Sequence, residues 1–248
     1  LIGLVFRCDT RDWQPALKRG ETDTAFFGQM IHTGRGVQTL KISHRSDFDP
    51  AHVSFVHPTT LGNAASENVP VHVKTADEVI VAWRWIRDAD PIGFFKAFGG
   101  FSGNVDRWHY YYLHMPSTAV IDFGSSDAKL ELPEDQRNKG VRIFALHFVT
   151  PVTEDYTIDH WMHLRNTALG DDAASDQMDA MFRVAFAEDK AILEAVHQEE
   201  QRPQKRKPIR IAIDKAPNVY RKRIRDRIEA EATDDLGDPV APVFVQHD

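Results

Sequence analysis

Among 248 residues, three side chains have the type and spacing to hold a metal. Asp189 follows Ala185 by four and Phe186 by three, and precedes Ile192 and Leu193 by three and four. On a helix it therefore points where the apolar side chains point. An inward carboxylate is costly unless it is paired, hydrogen-bonded or bound to a metal. A buried ion pair, or a place at the fringe of the stripe, would satisfy it as well as a metal would. The second feature is the run Ser46-Asp47-Phe48-Asp49-Pro50-Ala51-His52-Val53-Ser54-Phe55-Val56-His57-Pro58. Pro50 suits the first turn of a helix with Asp49 as its N-cap, and Pro58 disfavours helical geometry at His57. His52 is expected on the helix and His57 at its exit, where both imidazoles can still meet. Two imidazoles and one carboxylate leave coordination positions open, the donor set that suits iron(II) and O2 activation. A zinc hydrolase fits less well, because no Glu stands as a general base in an H-E-x-x-H arrangement. Taken alone, a His-x4-His pair is also what chance supplies among twelve histidines.

The other histidines pair poorly. His160 and His163 are an odd number apart on an expected strand and face opposite sides, and His109 and His114 fail by the same parity. His32, His44, His72, His147, His197 and His247 read as surface or satisfied core residues. The run Trp108-His109-Tyr110-Tyr111-Tyr112 suits strand packing, or the lining of a pocket. The basic stretches Lys205-Arg206-Lys207 and Arg221–Arg227 read as a solvated face, with docking of an acidic redox partner the weaker use.

The elements that must position these residues change period along the chain. Alternating apolar and β-branched runs predict strands at Leu1–Arg7, Val37–His44, Val69–Thr75, Glu78–Arg87, Asp106–Met115, Ser117–Gly124, Val141–Thr150 and Tyr156–Arg165. Short connections make neighbours antiparallel. Asp88–Gly103 and Ser125–Gly140 read as long loops. From Asp176 to Gln201 the apolar positions step by three and four, which predicts one long helix. Ile209–Ile213 reads as a short strand and Asn218–Ala232 as a surface helix. The fold class is α+β: an antiparallel sheet with a long C-terminal helix across it, in a single domain over 1–248.

Composition narrows the classes. Thirty basic against 37 acidic residues give a net charge of −7, which argues against nucleic acid as the main partner. A 42% hydrophobic and 27% charged chain is globular rather than disordered, and no apolar run has the roughly 20 residues of a membrane helix. Cys8 is the single cysteine. An intrachain disulfide is thereby excluded and a reducing, cytoplasmic setting expected. The sequence begins at Leu1 rather than Met, so an upstream part is one expectation.

Three blocks together resemble a known family. Asp49-Pro50-Ala51-His52-Val53-Ser54-Phe55-Val56-His57 with Thr60-Leu61-Gly62 resembles the iron motif of Rieske-type non-haem iron oxygenases. Thr150-Pro151-Val152-Thr153-Glu154 with Arg165-Asn166 resembles later strands of their vanillate, dicamba and methylxanthine demethylase branch. Glu188-Asp189-Lys190-Ala191-Ile192-Leu193-Glu194-Ala195 resembles the helix carrying that branch's carboxylate ligand. The resemblance implies a helix-grip, START-like catalytic domain in which His52, His57 and Asp189 bind Fe(2+). It makes Asp49 the bridging aspartate toward a Rieske cluster on a neighbouring subunit; Ser46 stands where the family often has Asn. It implies oxidative N- or O-demethylation of a small aromatic or purine substrate, with O2 as co-substrate and formaldehyde released. Ring hydroxylation by the same fold, and a non-catalytic ligand-binding subunit, are the alternatives. A [2Fe-2S] Rieske cluster needs two Cys and two His, and this sequence has only one Cys. The cluster is expected on an N-terminal domain outside the sequence, or on a Rieske-bearing reductase or subunit fed by NAD(P)H. The second arrangement is similar to a methylxanthine N7-demethylase component. A trimeric or hetero-oligomeric assembly is implied.

Overall fold

The structure, a computed structural model, describes residues 31–40, 50–76, 79–153, 156–202 and 211–232. Among the described residues seven strands form one sheet: β1 (Ile31–Leu40), β2 (His72–Ala76), β3 (Val79–Ala89), β4 (Val105–His114), β5 (Thr118–Asp127), β6 (Val141–Thr153) and β7 (Tyr156–Arg165). Their order is β1-β7-β6-β5-β4-β3-β2, and every neighbouring pair is antiparallel. Four α-helices accompany them among the described residues: α1 (Val53–Val56), α2 (Gly93–Phe98), α3 (Asp172–Glu200) and α4 (Lys215–Ala232). This is the α+β arrangement that the change of period predicts. None of the described helices is long and apolar enough to cross a membrane.

Alternation builds the sheet. On β3 the inward positions are Ile80, Ala82, Arg84 and Ile86, all buried, while the residues between them are half-exposed. On the face under α3, Phe123, Ile143 and Ala145 pack against Met178 and Phe182 of the helix and against Ile92, Phe94 and Phe95 around α2. Beside them α4 seats Ala216 and Tyr220 on Ile80, Ala82 and Leu113. The opposite face carries Trp108, Tyr110, Tyr112, Val120 and Phe144, roofed by Arg137 over Tyr110 and Arg142 over Phe144. The aromatic run of β4 is thus core on both faces. Beneath that roof the buried Asp122 accepts hydrogen bonds from Arg142, at 2.8 and 2.7 Å, and from Arg137 and Trp108 Nε1.

Several boundaries differ from the sequence reading. The expected loop at 88–103 contains α2, because Phe94 and Phe95 are driven fully into the core and wind a short helix between Pro91 and Gly99. β5 runs on to Asp127, pairing Ser125 and Ser126 with Arg107 and Asp106; short 3-10 turns follow where a loop was expected. The strand expected from Val69 begins at His72. β1 begins at Ile31 rather than Val37, and residues 41–44 of that expected strand lie outside the described residues, as does Leu1–Arg7. The described end of the expected strand Ile209–Ile213 is instead a 3-10 turn at Ala212–Asp214, closed by Ile211 N–H donating to Asp214 Oδ2.

The long helix is real but only its first half is core. Met178, Phe182 and Ala185 are fully buried, whereas Ile192 and Val196 are half exposed. Past Ala185 the stripe emerges from the core, and Asp189 sits between the buried Ala185 and the half-exposed Ile192.

Candidate metal centre

The histidine segment is held in a tight turn. Val56 N–H donates to the carbonyl of His52 and His57 N–H to that of Val53, so α1 is a single turn. His52 caps it in helical geometry (φ −61°, ψ −28°), and His57 ends it (φ −118°, ψ 50°). This corrects the expectation that His52 lies within a helix opened by Pro50, whose own position is in the preceding turn. After His57 the chain folds back: Thr60 N–H and Gly62 N–H both donate to the His57 carbonyl. A Cβ at Gly62 would lie 2.2 Å from the Val53 carbonyl oxygen, so the return requires glycine there.

The turn faces α3. His57 Nε2 lies 3.0 Å and His52 Nε2 3.5 Å from Asp189 Oδ1, with the two rings edge-to-face at 5.3 Å. One donor atom from each of the three residues lies within 4.8 Å of the others. With metal–donor bonds of about 2.0–2.2 Å, donors in adjacent octahedral positions lie roughly 3 Å apart, so the cluster fits a first-row divalent ion. Asp49 falls outside the described residues.

A fourth side chain joins them that the sequence reading left without a role. His57 Nδ1–H donates to Glu188 Oε2 at 2.8 Å, which turns Nε2 toward Asp189. A carboxylate on the far nitrogen is the usual way a ligating histidine is oriented. The only sequence signal for it is adjacency: Glu188 is one step from Asp189 on α3. Burial drives the His57 imidazolium toward deprotonation, but Asp189 and Glu188 outweigh it and hold its pKa above the ordinary histidine value. His57 is 1% exposed, whereas the side chains of His52 and Asp189 are 34% and 26% exposed.

Two further histidines flank the cluster. His109 on β4 is buried and held neutral, by burial first and then by Arg84, Arg107 and His52. His147 on β6 pairs with Asp159 at 3.0 Å; burial opposes its charge, yet Asp159, aided by Asp189, raises its pKa. His163 is buried and stacks at 3.6 Å on Phe182, while His160 is exposed on the other face, as parity requires.

The sequence profile described as "Vanillate O-demethylase oxygenase C-terminal domain" matches residues 47–230. The iron–sulfur subunit of a toluene-4-sulfonate monooxygenase system from Comamonas testosteroni is 32% identical over 152 residues, 59% of this chain and 44% of its own. The oxygenase component named chloroacetanilide N-alkylformylase, from Rhizorhabdus wittichii, is 27% identical over 187 residues, 74% of this chain and 52% of its own. The chain thus spans about half the length of these relatives. Among solved structures, dicamba monooxygenase bound to 3,6-dichlorosalicylic acid superposes with a TM-score of 0.71 at 20% identity, over 82% of this chain and 60% of that one. A caffeine-bound mutant of NdmA from Pseudomonas putida superposes at 0.56 and 18% identity, over 83% and 53%. The chain belongs to the vanillate O-demethylase oxygenase C-terminal domain family, the catalytic-domain family of Rieske-type oxygenases that its motifs resemble.

Proposed function

We propose that this chain is the catalytic domain of an oxygenase component that removes an N- or O-methyl group from a small aromatic or heteroaromatic substrate. The observation that carries the proposal is the convergence of His52, His57 and Asp189, with Glu188 fixing the His57 ring. Two neutral imidazoles and one carboxylate form the ligand set of a mononuclear Fe(2+) site. Iron(II), when bound there, supplies O2 activation. His57 is the buried anchor; its ring has no freedom to turn, because both nitrogens are engaged. His52 and Asp189 are half-exposed and present the side from which small molecules reach the cluster. In the overall reaction one oxygen atom is inserted into a methyl C–H bond, and the resulting hemiaminal or hemiacetal collapses to formaldehyde and the demethylated product. The second oxygen atom leaves as water, taking two electrons from NAD(P)H together with two protons, one from NAD(P)H oxidation and one from solvent. Those electrons require a [2Fe-2S] Rieske centre and a reductase, and Asp49 is the proposed bridge toward that centre. The substrates named for relatives, dicamba and caffeine among them, favour a methyl-bearing ring; methylxanthines are one class to test.

Metal analysis and product assay test this directly. The purified chain should bind one Fe(2+), and His52→Ala and Asp189→Ala should lose it while keeping the circular dichroism of the wild type. Full iron stoichiometry in both variants would overturn the ligand assignment. With a Rieske-bearing partner, formaldehyde should appear in proportion to substrate consumed; ring-hydroxylated product without formaldehyde would replace demethylation by the other chemistry of this fold.

A further inference from the structure

An arginine that is not among the metal-binding residues closes the segment that carries both imidazoles. Arg84 stands at an inward position of β3 between Ala82 and Ile86 and is 1% exposed. Its Nη2 donates to the carbonyl of Pro50 at 3.0 Å and its Nη1 to the carbonyl of Ser66 at 2.9 Å. One buried guanidinium therefore joins two points sixteen positions apart, with His52 and His57 between them. The far end is secured again, since Arg107 Nη2 donates to Asn63 Oδ1 at 2.7 Å and Asn63 Nδ2 donates to the Asp90 carbonyl. Between these ends, Phe94 N–H donates to the Thr60 carbonyl, Thr60 and Gly62 N–H donate to that of His57, and α1 itself is a single turn. A one-turn helix has almost no stability of its own. Keeping this turn in place against α3 therefore depends on how the segment's ends are fixed.

We propose that Arg84 is a positioning residue for the metal centre, acting as a staple whose two hydrogen bonds hold the 50–66 segment so that His52 and His57 meet Asp189. The proposal rests on the reading of those three residues as metal ligands. A guanidinium is needed because it reaches two carbonyls at once with fixed fork geometry; an ammonium has the charge but not the span. The staple is also cationic, and its position opposes its geometry: a positive charge near a divalent ion weakens binding, so loss of the charge alone would tighten it. A charge role and a staple role thus predict opposite signs.

The test is anaerobic Fe(2+) titration of the whole metal-free chain, wild type against Arg84→Met and Arg84→Lys, with thermal unfolding of each metal-free protein. The wild type must first bind one Fe(2+); if it binds none, the ligand assignment itself fails and the staple with it. Given that binding, Arg84→Met should bind Fe(2+) about tenfold or more weakly, within the range for groups that orient ligands, with Arg84→Lys in between. The ligand-field spectrum of the Co(2+)-loaded chain should change in Arg84→Met. Affinity equal to or tighter than wild type in a folded Arg84→Met, with an unaltered Co(2+) spectrum, would overturn the proposal, whatever its effect on melting. Should Arg84→Met not fold, Arg84→Lys decides: wild-type affinity there refutes the staple.

Discussion

Replacing Glu188 tests how the site is organised without touching a proposed ligand. His57 is buried and can be oriented by two groups, Asp189 on Nε2 and Glu188 on Nδ1. When Nε2 turns to a metal, Glu188 becomes the group that fixes the ring and keeps the proton on Nδ1. Loss of such a partner costs about 10–100-fold in metal affinity, which is about 1.4–2.7 kcal/mol. The Glu188 side chain is 32% exposed, so water can replace part of the bond, and Glu188→Ala belongs toward the lower end of that range. Glu188→Gln keeps an acceptor oxygen but not the charge, and should lose less. Neither change removes buried apolar surface, so the melting temperature of the metal-free protein should move little. Anaerobic Fe(2+) titration, or competition with a chelator of known affinity, reads the effect. A Glu188→Ala protein that binds Fe(2+) within twofold of wild type would refute the reasoning, because the 2.8 Å bond would then contribute nothing to the metal-binding form.

Other consequences concern stability. Asp122→Ala should cost about 3–5 kcal/mol by urea denaturation, since it leaves the Arg142 and Arg137 guanidinium groups buried without their counter-charge; a loss below 1 kcal/mol would show that water or another group replaces the carboxylate. Burial alone would raise the Asp122 pKa, but Arg142 and Arg137 hold it below the ordinary carboxylate value. The folded state therefore binds fewer protons than the unfolded one in acid. The group's contribution is complete above the unfolded value of about 3.9 and fades as pH falls through the lower folded one. Melting temperature against pH should show that loss in the wild type, with a shallower acid limb in Asp122→Asn. Gly62→Ala places a Cβ 2.2 Å from the Val53 carbonyl and should weaken Fe(2+) binding by displacing the turn between the histidines, with a smaller effect on the melting temperature; unchanged affinity would show that the turn yields without moving them.

How much of this was legible follows from what kind of information each feature needs. β7 was readable to the residue, because Thr157, Asp159, Trp161, His163 and Arg165 alternate with more exposed neighbours, and alternation is local. Asp189 was readable because three- and four-residue steps define a face before any tertiary contact is known. Glu188 was not, since its role depends on which side of α3 the His57 ring meets, a contact across 131 positions. Arg84 was legible only as an anomaly, a charge in line with Ile80, Ala82 and Ile86; its partners are main-chain carbonyls, which leave no trace in side-chain pattern. The α2 helix escaped because Pro91, Gly93, Gly99 and Gly100 read as breakers, while the burial of Phe94 and Phe95 decided the matter. The far end of the long helix shows the reverse limit: periodicity predicted a buried stripe through Val196, but Ile192 and Val196 are half exposed.

That limit of burial bears on why the carboxylate stands where it does. A fully buried Asp at the position of Ala185 would need strong compensation, and an Asp at the position of Val196 would lie beyond the core, where the stripe is half exposed. Asp189 lies between them, one turn past Ala185, the last fully buried residue of the stripe's inner half. There the cost of desolvating a carboxylate is reduced, yet the face still points at the sheet side where the histidine turn is anchored. The burden of burial falls instead on His57, which two carboxylates and a tight turn offset. Moving the carboxylate one helical turn either way would break one of these conditions. The placement of the aspartate is therefore set jointly by where burial along the helix ends and by the position of a turn that Arg84 ties to β3.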